Sequence, residues 1–483
     1  MYDAKLLIDG KLVDALSGAR IERLNPADLS PLGSAAAAGP DDIAAAVEAA
    51  ARAARAWGAL SLDARIGYMR KLAQAIRARK EEIAALESRD TGNLYSAMLG
   101  DVERAASRIE YYGGLAHGVL GATYPATAGH LHVSLREPFG VVARIVAFNH
   151  PFYFAASRMS APLATGNAVI MKTPEQAPLS GGILAELCAE IFPAGVVSII
   201  SGTGVDAGDP LVRHPAVKRI GFIGSVGTAM RIQRSGAEVG IKAITHELGG
   251  KNMMVVLPDS DPDKAADLAI EGMNFQWQGQ SCGSTSCLCI HDAIYEPVLE
   301  RVVDKVKAIK LGDPFDPATG MGPLISQQHH DKVMGAIQRG KDSGARLLAG
   351  GGRPEGEAFA KGYWVEPTLF ELDSRRNDLA TEEIFGPVLS VLRWSRDEEI
   401  VAQDDASDLG LTAAIVGKDI DKALAFARRL KVGYVWINCV GPHYVGVPYG
   451  GMKNSGVGRE EGIEELLSYT ELKAINIAVP TLS

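Results

Sequence analysis

From Gly140 onward the apolar residues come in short unbroken runs, separated by longer stretches with three- and four-residue spacing. Val141-Val142-Ala143-Arg144-Ile145-Val146, Ala168-Val169-Ile170-Met171, Val196-Val197-Ser198-Ile199-Ile200 and Arg219-Ile220-Gly221-Phe222-Ile223 predict buried strands. The stretches 155–163, 179–191 and 228–236 predict helices between and after them. Short apolar strands alternating with helices imply a parallel sheet covered on both faces, so the fold class is α/β. Such a sheet receives ligands at the carboxyl ends of its strands.

A second α/β region follows Glu247, with a strand at Met253-Met254-Val255-Val256-Leu257 and helices at 263–277 and 295–309. Residues 387–392, 412–416 and 434–437 predict further strands, and 422–430 a helix. Ahead of the first region lie a hairpin over 5–13, turned at Asp9-Gly10, and helices over 40–57, 62–90 and 98–115. Around 123–136 the rhythm changes, with Leu131, Val133 and Leu135 alternating against His130, His132 and Ser134. That period of two predicts a half-buried strand on an excursion from the main body.

Composition narrows the class. A chain of 483 residues exceeds one ordinary core, and 47% hydrophobic with 22% charged residues is globular. The net charge of -9 offers no basic face for nucleic acid. No apolar run approaches the ~18 residues of a membrane span, and no secretory signal opens the chain, so the cytoplasm is the expected location. Cys188, Cys282, Cys287, Cys289 and Cys439 form no regular framework, which implies reduced thiols. Without a C-x-x-C pair or suitably spaced histidines, no metal is expected.

Cys282 stands apart in Gln278-Gly279-Gln280-Ser281-Cys282-Gly283-Ser284, among small and polar residues rather than Leu, Ile and Val. That setting suits a nucleophile, although a buried structural thiol fits the bare sequence as well. Glu247, in His246-Glu247-Leu248-Gly249-Gly250, has little polar company and could carry a raised pKa suited to a general base. Asn149, in Phe148-Asn149-His150-Pro151, is either a turn residue or an oxyanion donor. Gly224-Ser225 follows a strand and opens a helix, the geometry of an anion site, while Ser225 serves equally as an N-cap. Lys172-Thr173-Pro174-Glu175 lies where a ribose would sit, or simply starts a helix. Gly202-Thr203-Gly204 is a weak dinucleotide fingerprint, or a tight turn.

Together these motifs, with Glu382-Glu383-Ile384-Phe385-Gly386-Pro387, resemble the NAD(P)-dependent aldehyde dehydrogenase superfamily over essentially the whole chain. The resemblance implies that Cys282 attacks the aldehyde, Asn149 holds the oxyanion and Glu247 activates the hydrolytic water. It implies NAD bound by Lys172, Glu175, Gly224, Ser225, Glu383 and Phe385, with NADP a weaker alternative, and a proton-relay position at Glu460. It further implies a Rossmann-like cofactor domain (1–117 and 138–248), a catalytic domain (249–455) and a small β bridging element (118–137 and 456–483). That element commonly mediates homodimers or homotetramers. Two positions depart from the family pattern: Phe148 stands where Trp is usual, and Gln276 where Phe is frequent.

Phe152, Tyr153, Trp277, Ser281, His443 and Tyr444 are expected near the substrate tunnel. An aromatic wall without Arg or Lys favours an aromatic aldehyde, benzaldehyde- or vanillin-like. The alternative is a betaine- or ω-aminoaldehyde, since rings also bind cations. Glu247 argues against a CoA-acylating relative, and the intact Cys282, Glu247 and Asn149 set against a non-catalytic one.

Overall fold

In a computed structural model, which describes residues 1–479, the first apolar runs form one sheet. Its five parallel strands run Ala243–Glu247, Val217–Ile223, Val141–Ile145, Ala168–Lys172 and Val197–Ile200. Val141–Ile145 and Ala168–Lys172 are buried at every position, which is why they read as near-continuous apolar runs. The predicted hairpin, Leu6–Ile8 and Lys11–Val13, adds antiparallel strands at one edge. Asp9 and Gly10 both take positive φ there, as a two-residue turn requires.

The second sheet runs Arg346–Ala349, Thr368–Leu372, Val388–Trp394, Cys287–His291, Met253–Val256, Thr412–Val416 and Tyr434–Ile437, parallel except at its first strand. A three-stranded antiparallel sheet stands apart, with His130–Pro138 between Thr470–Ala478 and Ala122–Tyr124.

Several expectations change in detail. The helix expected over 62–90 is two, Leu62–Ala78 and Lys80–Thr91, broken at Arg79. The one expected over 155–163 starts earlier, with Pro151 at its first position, and divides at Met159. The one expected over 263–277 ends at Gly272, because Asn274 and Gln278 take left-handed conformations around the short turn Phe275–Trp277. The strand expected over 123–136 is two strands of one sheet. Gly456–Val457 pairs with Ala243–Glu247 and so joins the first sheet, not the bridging one. The C-terminal strand that pairs with His130–Pro138 begins at Thr470, and residues 480–483 of the expected 456–483 segment lie outside the described residues.

The site gathers where the two large sheets meet. Asn149, Lys172, Gly224 and Glu247 lie at or just beyond carboxyl ends in the first sheet. Cys282, Glu383 and Phe385 precede the strands Cys287–His291 and Val388–Trp394 of the second.

Candidate active site

The turn that carries Cys282 is built by close backbone approach. A Cβ at Gly279 would stand 2.2 Å from the Gly386 carbonyl oxygen, so only glycine lets this turn lie against the Glu383–Pro387 segment. Cys282 is half-buried, with its Sγ 3.9 Å from the Tyr449 hydroxyl. Burial pushes the thiol pKa well up, and the carboxylates of Glu247 and Glu383 push it further.

Glu247 ends its strand buried, and neither carboxylate oxygen has a partner. Burial raises its pKa well above the usual carboxylate range, and Glu460 adds to the rise. A carboxyl with a raised pKa and no competing hydrogen bond is, in its ionised form, a stronger base toward a water or a thiol than an ordinary carboxylate. Glu460 itself is gripped by Arg144 at 2.8 Å and Arg158 at 3.1 Å. Burial would raise Glu460, but the two guanidinium groups hold it low. An ion pair of that kind places a fixed negative charge near Glu247 rather than a ready proton donor. Asn149 is buried, and its backbone carbonyl accepts from Asn93 Nδ2 at 3.1 Å.

One cavity of about 700 Å³ takes in Cys282, Glu247 and Asn149 together with Lys172, Glu175, Gly224, Ser225, Glu383 and Phe385. Its donor set suits a dinucleotide. Ser225 caps the 12-residue helix Val226–Ala237, its Oγ accepting from the Thr228 N–H, and so leaves free backbone donors at a positive dipole end. Glu175 and Glu383 come from different sheets and can each accept from one ribose. Glu175 also accepts from the Gly204 N–H at 3.1 Å, and a Cβ at Gly204 would meet nothing, so this backbone is open to a ligand. Gly202-Thr203-Gly204 leads into a tight turn, closed by Thr203 on Asp206. Lys172 is buried, and burial lowers its pKa to about 8.

Two further cavity residues, His329 and Lys332, escaped the sequence reading. They sit on the helix Gln327–Asp342, whose local pattern gives only a Ser326 cap and an amphipathic face. The His329 Nε2 lies 2.6 Å from the Phe385 carbonyl, which can only accept, so Nε2 carries the hydrogen. Phe385 has φ of 60°, and its ring packs edge-on against Phe148, which also meets His329. The Phe148 departure is therefore packed against this histidine.

The model of the aldehyde dehydrogenase family matches residues 13–475. The chain belongs to this family. It is 44% identical over 479 residues to the aldehyde dehydrogenase tropH of Talaromyces stipitatus, covering 98% of this chain and 93% of that one. PnpE from Pseudomonas sp. WBC-3, solved in complex with nicotinamide adenine dinucleotide, is 38% identical with a TM-score of 0.96, over 99% and 98% of the two chains. The NAD+ complex of an aldehyde dehydrogenase from Bacillus cereus is 36% identical with a TM-score of 0.95, over 99% and 97%.

In this aldehyde dehydrogenase the residues expected around the aldehyde separate into two sets. Phe152 is wholly buried in the core, where its N–H donates to Glu87 at 2.8 Å, so it does not form a tunnel wall. Ser281 faces a separate small cavity with Gly250, Glu383 and Gly386. Tyr444 lies half-exposed on a loop, 3.9 Å from Cys439 Sγ. Tyr153 and Trp277 meet around His150, while His443 lies against Tyr449. The His443 ring lies 4.1 Å from that of Tyr449, tilted by 31°, and the rings of Trp277 and Tyr153 lie 5.2 and 6.2 Å from His150. The expectation that no Arg stands nearby changes as well, because Arg158 ends the helix that carries Tyr153 and Arg108 reaches Glu461 from the helix Tyr95–Leu115.

Proposed function

We propose that the protein oxidises an aldehyde to its carboxylic acid by covalent catalysis at Cys282, with NAD as hydride acceptor. The observation that carries the reading is Glu247, buried and unpartnered in the same cavity as Cys282 and Asn149. Cys282 loses its proton to solvent and its sulfur attacks the carbonyl carbon, whose C=O π pair moves to oxygen to give the thiohemiacetal oxyanion. Asn149 donates to the oxygen as negative charge builds on it. NAD, when bound by Lys172, Glu175, Ser225 and Glu383, supplies the acceptor for the hydride whose loss leaves a thioester on Cys282. Glu247 then takes a proton from water, which attacks the thioester carbon and releases the acid and the thiol. Glu460 favours the proton-accepting role by raising Glu247 through its charge.

The aromatic groups around Cys282 support an aromatic aldehyde, stacked near Tyr449, His443 and Trp277. Five free cysteines suit a reducing, cytoplasmic setting. Exposed Leu131, Leu135, Leu472 and Ile477 on the small antiparallel sheet suit pairing with a second copy of the chain, as in a homodimer or homotetramer.

The test is NADH formation across benzaldehyde, vanillin, an ω-aminoaldehyde, succinic semialdehyde and a medium-chain aliphatic aldehyde, with NAD and NADP and with Cys282→Ala. Aromatic turnover with NAD that Cys282→Ala abolishes is the expected result. Turnover of succinic semialdehyde alone would reject the aromatic substrate, and turnover that survives Cys282→Ala would reject the mechanism.

A further inference from the structure

His150 follows the oxyanion residue Asn149 directly, and its Nδ1 lies 2.7 Å from Asp101 Oδ2. Asp101 is fully buried and also pairs with Arg104. Burial alone would raise this carboxyl, but His150 and Arg104 hold it below the usual range. An ionised acceptor at Nδ1 fixes the imidazole hydrogen there, which leaves Nε2 as the nitrogen free to take a proton.

The side chains around His150 and the adjoining Tyr153 are unusual for a packed core. The Trp277 ring lies 5.2 Å away, and its indole N–H is buried without a partner. Arg108, from the helix Tyr95–Leu115, uses Nη2 on Glu461 at 3.3 Å and leaves Nη1 buried without a partner. Arg108 is 7% exposed and Trp277 8%, so both donors lie out of bulk solvent. Glu461 also accepts from Arg158, whose guanidinium stands 6.0 Å from the Tyr153 ring, and Tyr153 is next to His150.

This cluster borders the nucleophile on two flanks. One runs through Asn149 to His150. The other runs from Cys282 through Tyr449 and His443 to Glu461, with steps of 3.9, 4.1 and 3.2 Å. His150, Arg108 and Trp277 do not line the dinucleotide cavity, although Asn149 and Cys282 do. A structural cluster would satisfy its own donors, because buried ones left unpaired are costly. Two unpaired donors and a free imidazole nitrogen beside the nucleophile call for oxygen brought by a ligand.

We propose that Arg108, Trp277 and the His150–Asp101 pair form a specificity site for an aldehyde that carries an ionisable oxygen on a conjugated or aromatic frame. The oxygen belongs to a phenolic or enolic hydroxyl or to a carboxyl. This assignment rests on the aldehyde-oxidising reading given above and narrows its substrate class. A hydroxyl passes its proton to His150 Nε2, and Asp101 holds the imidazolium that results. A carboxylate arrives ionised and takes its hydrogen bonds from Arg108 and Trp277.

The experiment measures kcat/KM of the NAD-loaded enzyme on meta- and para-hydroxybenzaldehyde, the two carboxybenzaldehydes and the two methylbenzaldehydes. Wild type is compared with Trp277→Phe, His150→Phe and Arg108→Gln. A site built to bond an oxygen should favour a hydroxy or carboxy isomer over its methyl counterpart by about 100-fold. Trp277→Phe, which removes one N–H and keeps an aromatic ring, should compress that ratio about 10-fold. A hydroxyl source predicts the larger compression in His150→Phe, and a carboxylate source in Arg108→Gln. Equal turnover of all three classes, or variants that slow all three alike, overturns the proposal. If aliphatic aldehydes alone are oxidised, the aromatic reading fails, and inhibition of that turnover decides the site separately. Hydroxybenzoate or benzenedicarboxylate inhibiting about 10-fold better than benzoate would uphold it, and equal inhibition would overturn it.

Discussion

The Asn252 side-chain amide donates to the Cys282 carbonyl at 2.7 Å and to the Ser284 carbonyl at 2.9 Å. Its own oxygen accepts from the Thr412 N–H at 3.0 Å, so one side chain pins the Cys282 turn to the strand Thr412–Val416. Asn252→Ala leaves buried backbone groups unpaired at both ends. The expected loss is about 3 kcal/mol of stability, read as a lower denaturant midpoint at unchanged slope.

Glu247→Gln keeps the shape of the side chain and removes the base. Hydride transfer should still occur once per subunit, giving a burst of NADH, followed by turnover slowed about 100-fold or more. Stability should move the other way. The folded carboxyl holds its proton more tightly than the unfolded one, so wild type loses stability as pH rises toward the raised folded value. The melting-temperature gap in favour of Glu247→Gln should therefore open as pH climbs above the usual carboxylate range, and close below it.

NAD affinity should be bell-shaped in pH. Burial raises Glu383 to about 7, so it becomes a full acceptor only above that value. Burial lowers Lys172 to about 8, so its charge fades above that. Calorimetric titration across this window should show the tightest binding between the two values, and Glu383→Gln should remove the acid limb alone.

His329→Ala should raise the KM for NAD about 10-fold, through loss of the hydrogen bond that holds the Phe385 carbonyl. Because burial lowers His329 to about 4, this contribution should not vary between neutral and alkaline pH. Direct binding of NAD to the variant separates this effect from chemistry.

Glu175→Ser should shift the ratio of NADP to NAD turnover upward by about 10-fold or more, since a carboxylate repels a 2′-phosphate. Side-by-side kcat/KM values with the two cofactors give the answer.

What could be read from the sequence follows from how local each signal is. Val141–Ile145 and Ala168–Lys172 announce themselves because burial on both faces demands apolar residues throughout. The positions of Asn149, Lys172, Gly224 and Glu247 follow, because strand ends fix them. Cys282 shows itself through its glycine-flanked, polar setting. His329 and Arg108 do not, since each lies on an ordinary amphipathic helix and gains its meaning from a partner remote in the chain. The break at Arg79 has no Pro or Gly to mark it, and its side chain pairs with Glu186, 107 positions on. The apolar run ending at Trp277 looked helical, but two left-handed residues turn it toward His150.

The pairing of His130–Pro138 with Thr470–Ala478 sets a timetable for biosynthesis. Lys473 meets Glu137 across 336 positions of chain, so at ribosomal rates roughly 20–70 s separate the making of these two strands. During that interval a nine-residue strand has Ala122–Tyr124 on one side and an open hydrogen-bonding edge on the other. Neighbouring nascent chains on one messenger would present the same open edge to one another. The arrival of Thr470–Ala478 thus closes that edge and ends this opportunity for aberrant association.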